Sequence, residues 1–203
     1  MLDRLQQQLA DTSGAELAAV ALGVVYIGLA IRRRRACWIA GGLSTALYAV
    51  VFLQAALYLQ SALQVAYVAL SVYGWQQWSA AGGGGAVEPR RWPTRRHAQA
   101  ALAVLAATAV TAPLLARFTD AAAPSADALG TFASVAATWM MAQRINEHWL
   151  WWIVIDLGLA WLFLSQDLVF TAVLYAGFAV MAGAGFLSWR RALARPVQEG
   201  GAA

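Results

Sequence analysis

Charged residues in this chain are confined to short gaps between long apolar runs, and that alternation restricts its possible folds more than any other feature. Seven runs are bounded by charged or turn residues: Glu16–Ile31, Ala36–Gln54, Leu57–Trp78, Ala98–Phe118, Asp127–Arg144, Trp149–Leu164 and Leu168–Trp189. A helix needs about 20 predominantly apolar residues to cross a bilayer, so these runs are expected to span a membrane. Composition agrees, since 12% of residues are charged and 61% hydrophobic, and soluble domains carry about twice that charged share. An all-α polytopic membrane protein of seven transmembrane helices is expected, with little chain left for anything outside the bilayer.

Several function classes lose support at once. Cys37 is the single cysteine, so neither a disulfide framework nor a cysteine zinc site is available; no metal and no cofactor is expected. All fourteen basic residues are arginines and the net charge is +4. Because they flank apolar spans, membrane topology explains them better than nucleic acid does. The Gly82–Gly85 run lacks the lysine and strand of a phosphate-binding loop and reads as a linker, and neither HExxH nor GxSxG occurs. His97 and His148 flank spans and read as solvated or snorkelling imidazoles. Residues 1–14, with Leu2, Leu5 and Leu9 at helical spacing, read as an interfacial segment rather than a cleaved leader.

The arginines set an orientation, because loops rich in them stay on the cytoplasmic side. Arg32–Arg35, Arg90, Arg91, Arg95, Arg96, Arg144, Arg190, Arg191 and Arg195 follow odd-numbered spans, twelve of the fourteen. Seven spans with the N-terminus outside and the C-terminus cytoplasmic satisfy every cluster.

The chain also matches itself at an offset of 111 residues, which pairs Arg33 with Arg144, Trp38 with Trp149, Phe52 with Phe163, Gly74 with Gly185 and Trp78 with Trp189. Chance identities are common among Ala and Leu, but paired Trp and Gly are harder to produce by chance. The economical organisation is a 3+1+3 parallel repeat: a first triplet at 15–78, a cytoplasmic Gly/Arg-rich loop at 79–97, a linker helix and external loop at 98–126, a second triplet at 127–191 and a tail at 192–203. Parallel repeats of this kind place a solute near the midplane between the halves.

Polar groups inside the spans mark the candidate site. Asp156 lies roughly 10 Å of helix rise past Trp149, where a carboxylate costs about 3 kcal/mol unless it faces protein or a wet cavity. Trp149, Trp152 and Asp156 share one helical face; their offset partners are Trp38, Gly41 and Thr45. Gln60, Gln64, Tyr67 and Ser71 form a similar stripe on the third span, and Thr171, Tyr175 and Phe178 one on the seventh. Such a lining suits a small, flat, polar aromatic solute, since indole faces attract cations and electron-poor rings while Gln supplies both donor and acceptor. A competing role for Trp38, Trp78 and Trp149 is the interfacial aromatic belt, and Gln60, Ser71 and Thr171 can also serve simply to bond helices together.

The stretches CWIAGGLSTALYAVVF (37–52), LYLQSALQVAYVALSVYGWQQW (57–78), EHWLWWIVID (147–156) and TAVLYAGFAVMAGAGFLSWRR (171–191) resemble the PnuC family of bacterial nicotinamide riboside transporters. The resemblance implies a SWEET-like fold in a homotrimer in the bacterial inner membrane. It also implies facilitated diffusion of nicotinamide riboside, with trapping by a cytosolic kinase. It places the ring on Trp38, Trp149 or Trp152, with Gln64 as the amide and Tyr175 opposite. Together with the polar stripes, the expected substrate contacts are Trp38, Thr45, Gln60, Gln64, Tyr67, Trp149, Trp152, Asp156 and Tyr175. The Arg32–Arg35 run and His148 depart from the family's usual Asn positions, and related members carry thiamine or riboflavin. Readings from other classes are an intramembrane enzyme acting through Asp156 and a membrane subunit that binds no solute.

Overall fold

A computed structural model describes residues 14–54, 58–81, 85–119, 123–165 and 169–194. Within them lie seven α-helices and no strand: α1 Gly14–Ile31, α2 Cys37–Gln54, α3 Tyr58–Ala80, α4 Thr94–Phe118, α5 Pro124–Ala142, α6 His148–Ser165 and α7 Val169–Leu193. The proposed interfacial helix at Leu2, Leu5 and Leu9, the glycines at 82–84, Arg195 and the side chains of Gln60 and Thr171 fall outside the described residues.

Each expected span contains one helix, displaced at its ends. Helix α4 begins at Thr94 rather than Ala98, because Pro93 fixes the start and Arg95 and Arg96 continue the helix beyond the apolar run. Helix α5 opens three residues early, with Pro124 in its first turn. Residues Ala172–Leu193 of α7, together with α2, α4 and α6, are long and apolar enough to cross a membrane by themselves. Helix α3 falls short of that because it carries Gln60, Gln64, Gln76 and Gln77. This is a multi-pass membrane protein.

The helices divide into two units between Val87 and Glu88. In the first, α2 packs against both α1 and α3, pinned by Ser44 Oγ donating to Ala19 O at 2.8 Å and Ser61 Oγ to Ala49 O at 2.8 Å. In the second, α4 packs on α5, α5 on α6 and α6 on α7. Leu43, Val50, Val65 and Val72 in one unit, and Val154, Trp161, Val173 and Val180 in the other, are exposed apolar side chains of the kind suited to contact with lipid.

Two tight turns repeat at the 111-residue offset. Among the described residues, Arg33 (φ 59°) and Arg144 (φ 64°) are the non-glycine residues in the left-handed region. Arg33 O accepts from Val87 N at 3.0 Å, and Arg144 O accepts from Arg90 N at 2.7 Å. A left-handed backbone costs an L-residue about 1–2 kcal/mol, so each turn holds strain that its hydrogen bonds offset. Arg144→Gly is expected to leave the thermal unfolding midpoint in detergent unchanged or raise it, whereas Arg144→Val should lower stability by about 1–2 kcal/mol.

Candidate substrate site

Helix α2 is built so that a large ring meets a residue with no side chain. Trp38 is 2% exposed, and its indole lies on Gly74 of α3 so closely that a Cβ at that position would collide with Cε2, Cδ2 and Cζ2. Trp78, one turn further along α3, meets the same indole edge-on at 5.5 Å. The second unit repeats the arrangement. Trp149 lies on Gly185 of α7, where a Cβ would sit 2.5 Å from Cε2, and Trp189 meets it edge-on at 6.0 Å. These tryptophans are buried between helices, which corrects the belt reading: an indole seated against glycine backbone has no face left for the interface. Both indole N–H groups lack an acceptor among the described residues.

Bulk is exchanged around this shared frame. In the first unit Tyr26 of α1 fills the space over Gly41, where a Cβ would come within 2.9 Å of Tyr26 Cδ2. The offset partners of Tyr26 and Gly41 are Ala137 and Trp152, and Trp152 packs on the cluster of Ala137, Met140 and Ile145. A large ring therefore comes from α1 in one unit and from α6 in the other. The sequence signal for Tyr26 was available, since a large residue and a glycine in one copy stand opposite a small residue and Trp in the other.

The expected contacts fall into different surroundings. In the first unit, Gln64 and Tyr67 are half-buried on the α3 face that leads to Ser71 and Gly74. The Ser71 hydroxyl donates to Tyr67 O at 2.9 Å. Thr45 turns its hydroxyl back to Gly41 O at 3.1 Å and Gly42 O at 3.2 Å, which takes up its donor within its own helix. In the second unit Trp149, Trp152 and Asp156 share the inward face of α6, and Asp156 is 5% exposed with no hydrogen bond or ion pair among the described residues. Tyr175 of α7 stacks on Phe163 of α6 at 5.2 Å and meets Phe178 edge-on at 5.8 Å.

His148 is not a solvated imidazole. It is fully buried, occupies the place of Cys37 in the other copy, donates from Nδ1 to Ile145 O at 2.7 Å, and lies 4.9 Å from the Trp189 ring. Its burial follows from its position beside Trp149 at the start of α6, where the repeat demands a small or flat group. His97 lies 3.9 Å from Glu147, too far for a hydrogen bond. Among the described residues no group of His, Cys, Asp and Glu is arranged to hold a metal ion.

In the second unit, the inward α6 face of Trp149, Trp152 and an unpaired Asp156 offers aromatic surface and a carboxylate of the kind that binds a small solute. Comparison with known proteins gives the same class. The chain is 25% identical over 205 residues to the nicotinamide riboside transporters PnuC of Escherichia coli strain K12 and of Shigella flexneri, covering 88% of this chain and 86% of each relative. Its fold is similar to the crystal structure of the vitamin B3 transporter PnuC, with a TM-score of 0.72 and 20% identity over 95% of this chain and 87% of that one. The family model described as nicotinamide mononucleotide transporter matches residues 13–191, and the chain therefore belongs to the PnuC family of membrane transporters.

Proposed function

We propose that this protein carries nicotinamide riboside across the inner membrane of a bacterium by facilitated diffusion, with phosphorylation by a cytosolic kinase retaining the solute. The observation that carries this reading is the family match over nearly the whole chain, joined to an inward α6 face of Trp152 and an unpaired Asp156. Nicotinamide riboside bears a pyridinium cation, which both an indole face and a carboxylate attract. The solute is transported unchanged, so the protein is a carrier and not an enzyme.

The architecture that fits this role is the 3+1+3 parallel repeat, with triplets at 15–78 and 127–191, the loop at 79–97, the linker at 98–126, the N-terminus outside and the tail at 192–203 in the cytoplasm, assembled as a homotrimer. Alternating exposure then follows from movement of one triplet against the other. We assign substrate contact to Gln64, Tyr67, Trp152, Asp156 and Tyr175, and keep Gln60 and Thr45 as further candidate contacts. Trp38 and Trp149 shape the site through the two glycine notches against which their indoles are buried.

Titration of purified protein with nicotinamide riboside, thiamine and riboflavin tests the substrate, with tightest binding of nicotinamide riboside expected and preference for thiamine or riboflavin counting against it. Gln64→Ala should weaken binding by about tenfold, the loss of roughly one hydrogen bond to a charged ligand. Unchanged affinity would remove Gln64 from the site.

A further inference from the structure

We propose that the arginines around the start of α4 and the α5–α6 turn form a binding site for the headgroup phosphate of an anionic phospholipid. Arg90, Arg91, Arg95 and Arg96 are exposed and make no ion pair among the described residues. The backbone brings a fifth arginine to them, since Arg90 N donates to Arg144 O at 2.7 Å and Arg90 O accepts from Asn146 N at 2.8 Å. Partial burial holds the Arg144 guanidinium below its ordinary range, the neighbouring Arg90 adds to that, and Glu88 opposes it only in part. The other nearby acid, Glu147, faces His97.

Helix α4 reinforces this demand for an anion. Its first turn holds no acidic residue and Pro93 gives it no side-chain cap, so Arg95 and Arg96 sit at the end of the helix that already carries partial positive charge. Cations there are destabilising unless an anion joins them. A lipid supplies it better than a free phosphate does, because the site lies at the edge of the bilayer. Trp92 packs on Trp139 at 5.3 Å, and Trp139 is itself 40% exposed, as aromatic residues at headgroup depth are. Further along α4, Leu102 and Leu105 are exposed where acyl chains would lie.

The full chain, reconstituted in phosphatidylcholine with or without phosphatidylglycerol, provides the test, read as affinity for a fluorescent phosphatidylglycerol. Each arginine near an anionic surface contributes roughly fivefold, so the triple variant Arg91→Gln, Arg95→Gln, Arg96→Gln should lose at least about tenfold. Arg190→Gln with Arg191→Gln, at the end of α7, should keep the wild-type affinity. Affinity of the triple variant within twofold of wild type, or an equal loss in the α7 variant, would overturn the site. On the wild type alone, inorganic phosphate that displaces the lipid at millimolar concentration would overturn its assignment to lipid, and failure to displace it supports that assignment.

Discussion

Gly74→Ala and Gly185→Ala should each cost about 3 kcal/mol, the upper end for forcing extra atoms into a packed interior, and should remove most folded protein from detergent extracts. In each copy the indole facing the glycine has little room to retreat, because Tyr26 of α1 and Trp78 meet Trp38 edge-on and His148 and Trp189 lie against Trp149. An internal control comes from Gly158 and Gly177, where an added Cβ would meet nothing within 4 Å. Alanine at those positions should be neutral or raise stability by up to about 1 kcal/mol, the helix-propensity difference. Thermal unfolding followed by size-exclusion fluorescence separates the two pairs. Gly74→Ala melting alongside Gly158→Ala would show that the notch does not hold Trp38.

Removing the charge at Asp156 should move stability and binding in opposite directions. Its carboxylate is buried without a partner among the described residues, a state that costs about 3 kcal/mol at mid-membrane. Asp156→Leu should therefore raise the unfolding midpoint, as substitutions at sites kept unstable for function commonly do. A carboxylate about 5 Å from a pyridinium contributes roughly 3 kcal/mol at an effective dielectric constant of 20, so Asp156→Asn should weaken nicotinamide riboside by about a hundredfold. A carboxylate that only ties helices together would give the reverse, with lower stability and unchanged affinity.

The membrane class and the helix order were legible because hydropathy acts over whole spans and tolerates errors of a few residues at each end. The paired Trp38, Gly74 and Trp78, with Trp149, Gly185 and Trp189, were legible as identities at one offset. Their physical meaning was not, because a glycine matched to a glycine does not reveal which ring lies on it. The exchange of Tyr26 and Gly41 for Ala137 and Trp152 escapes a search for identities altogether, since compensation leaves both positions different while their summed bulk is kept. His148 departs from the sequence expectation for a related reason: a titratable residue at a span end is usually wet, and here Trp149 and Trp189 pack against it and bury it. Asp156 was located from its cost alone, which a mid-span carboxylate declares in any context.

Uptake of labelled nicotinamide riboside into sealed liposomes containing the purified protein, with no ion gradient imposed, addresses carriage most directly. Saturable accumulation of the intact solute up to, and not beyond, the external concentration is the expected result. Entry no faster than into protein-free liposomes, or recovery of a chemically altered product inside them, would contradict it.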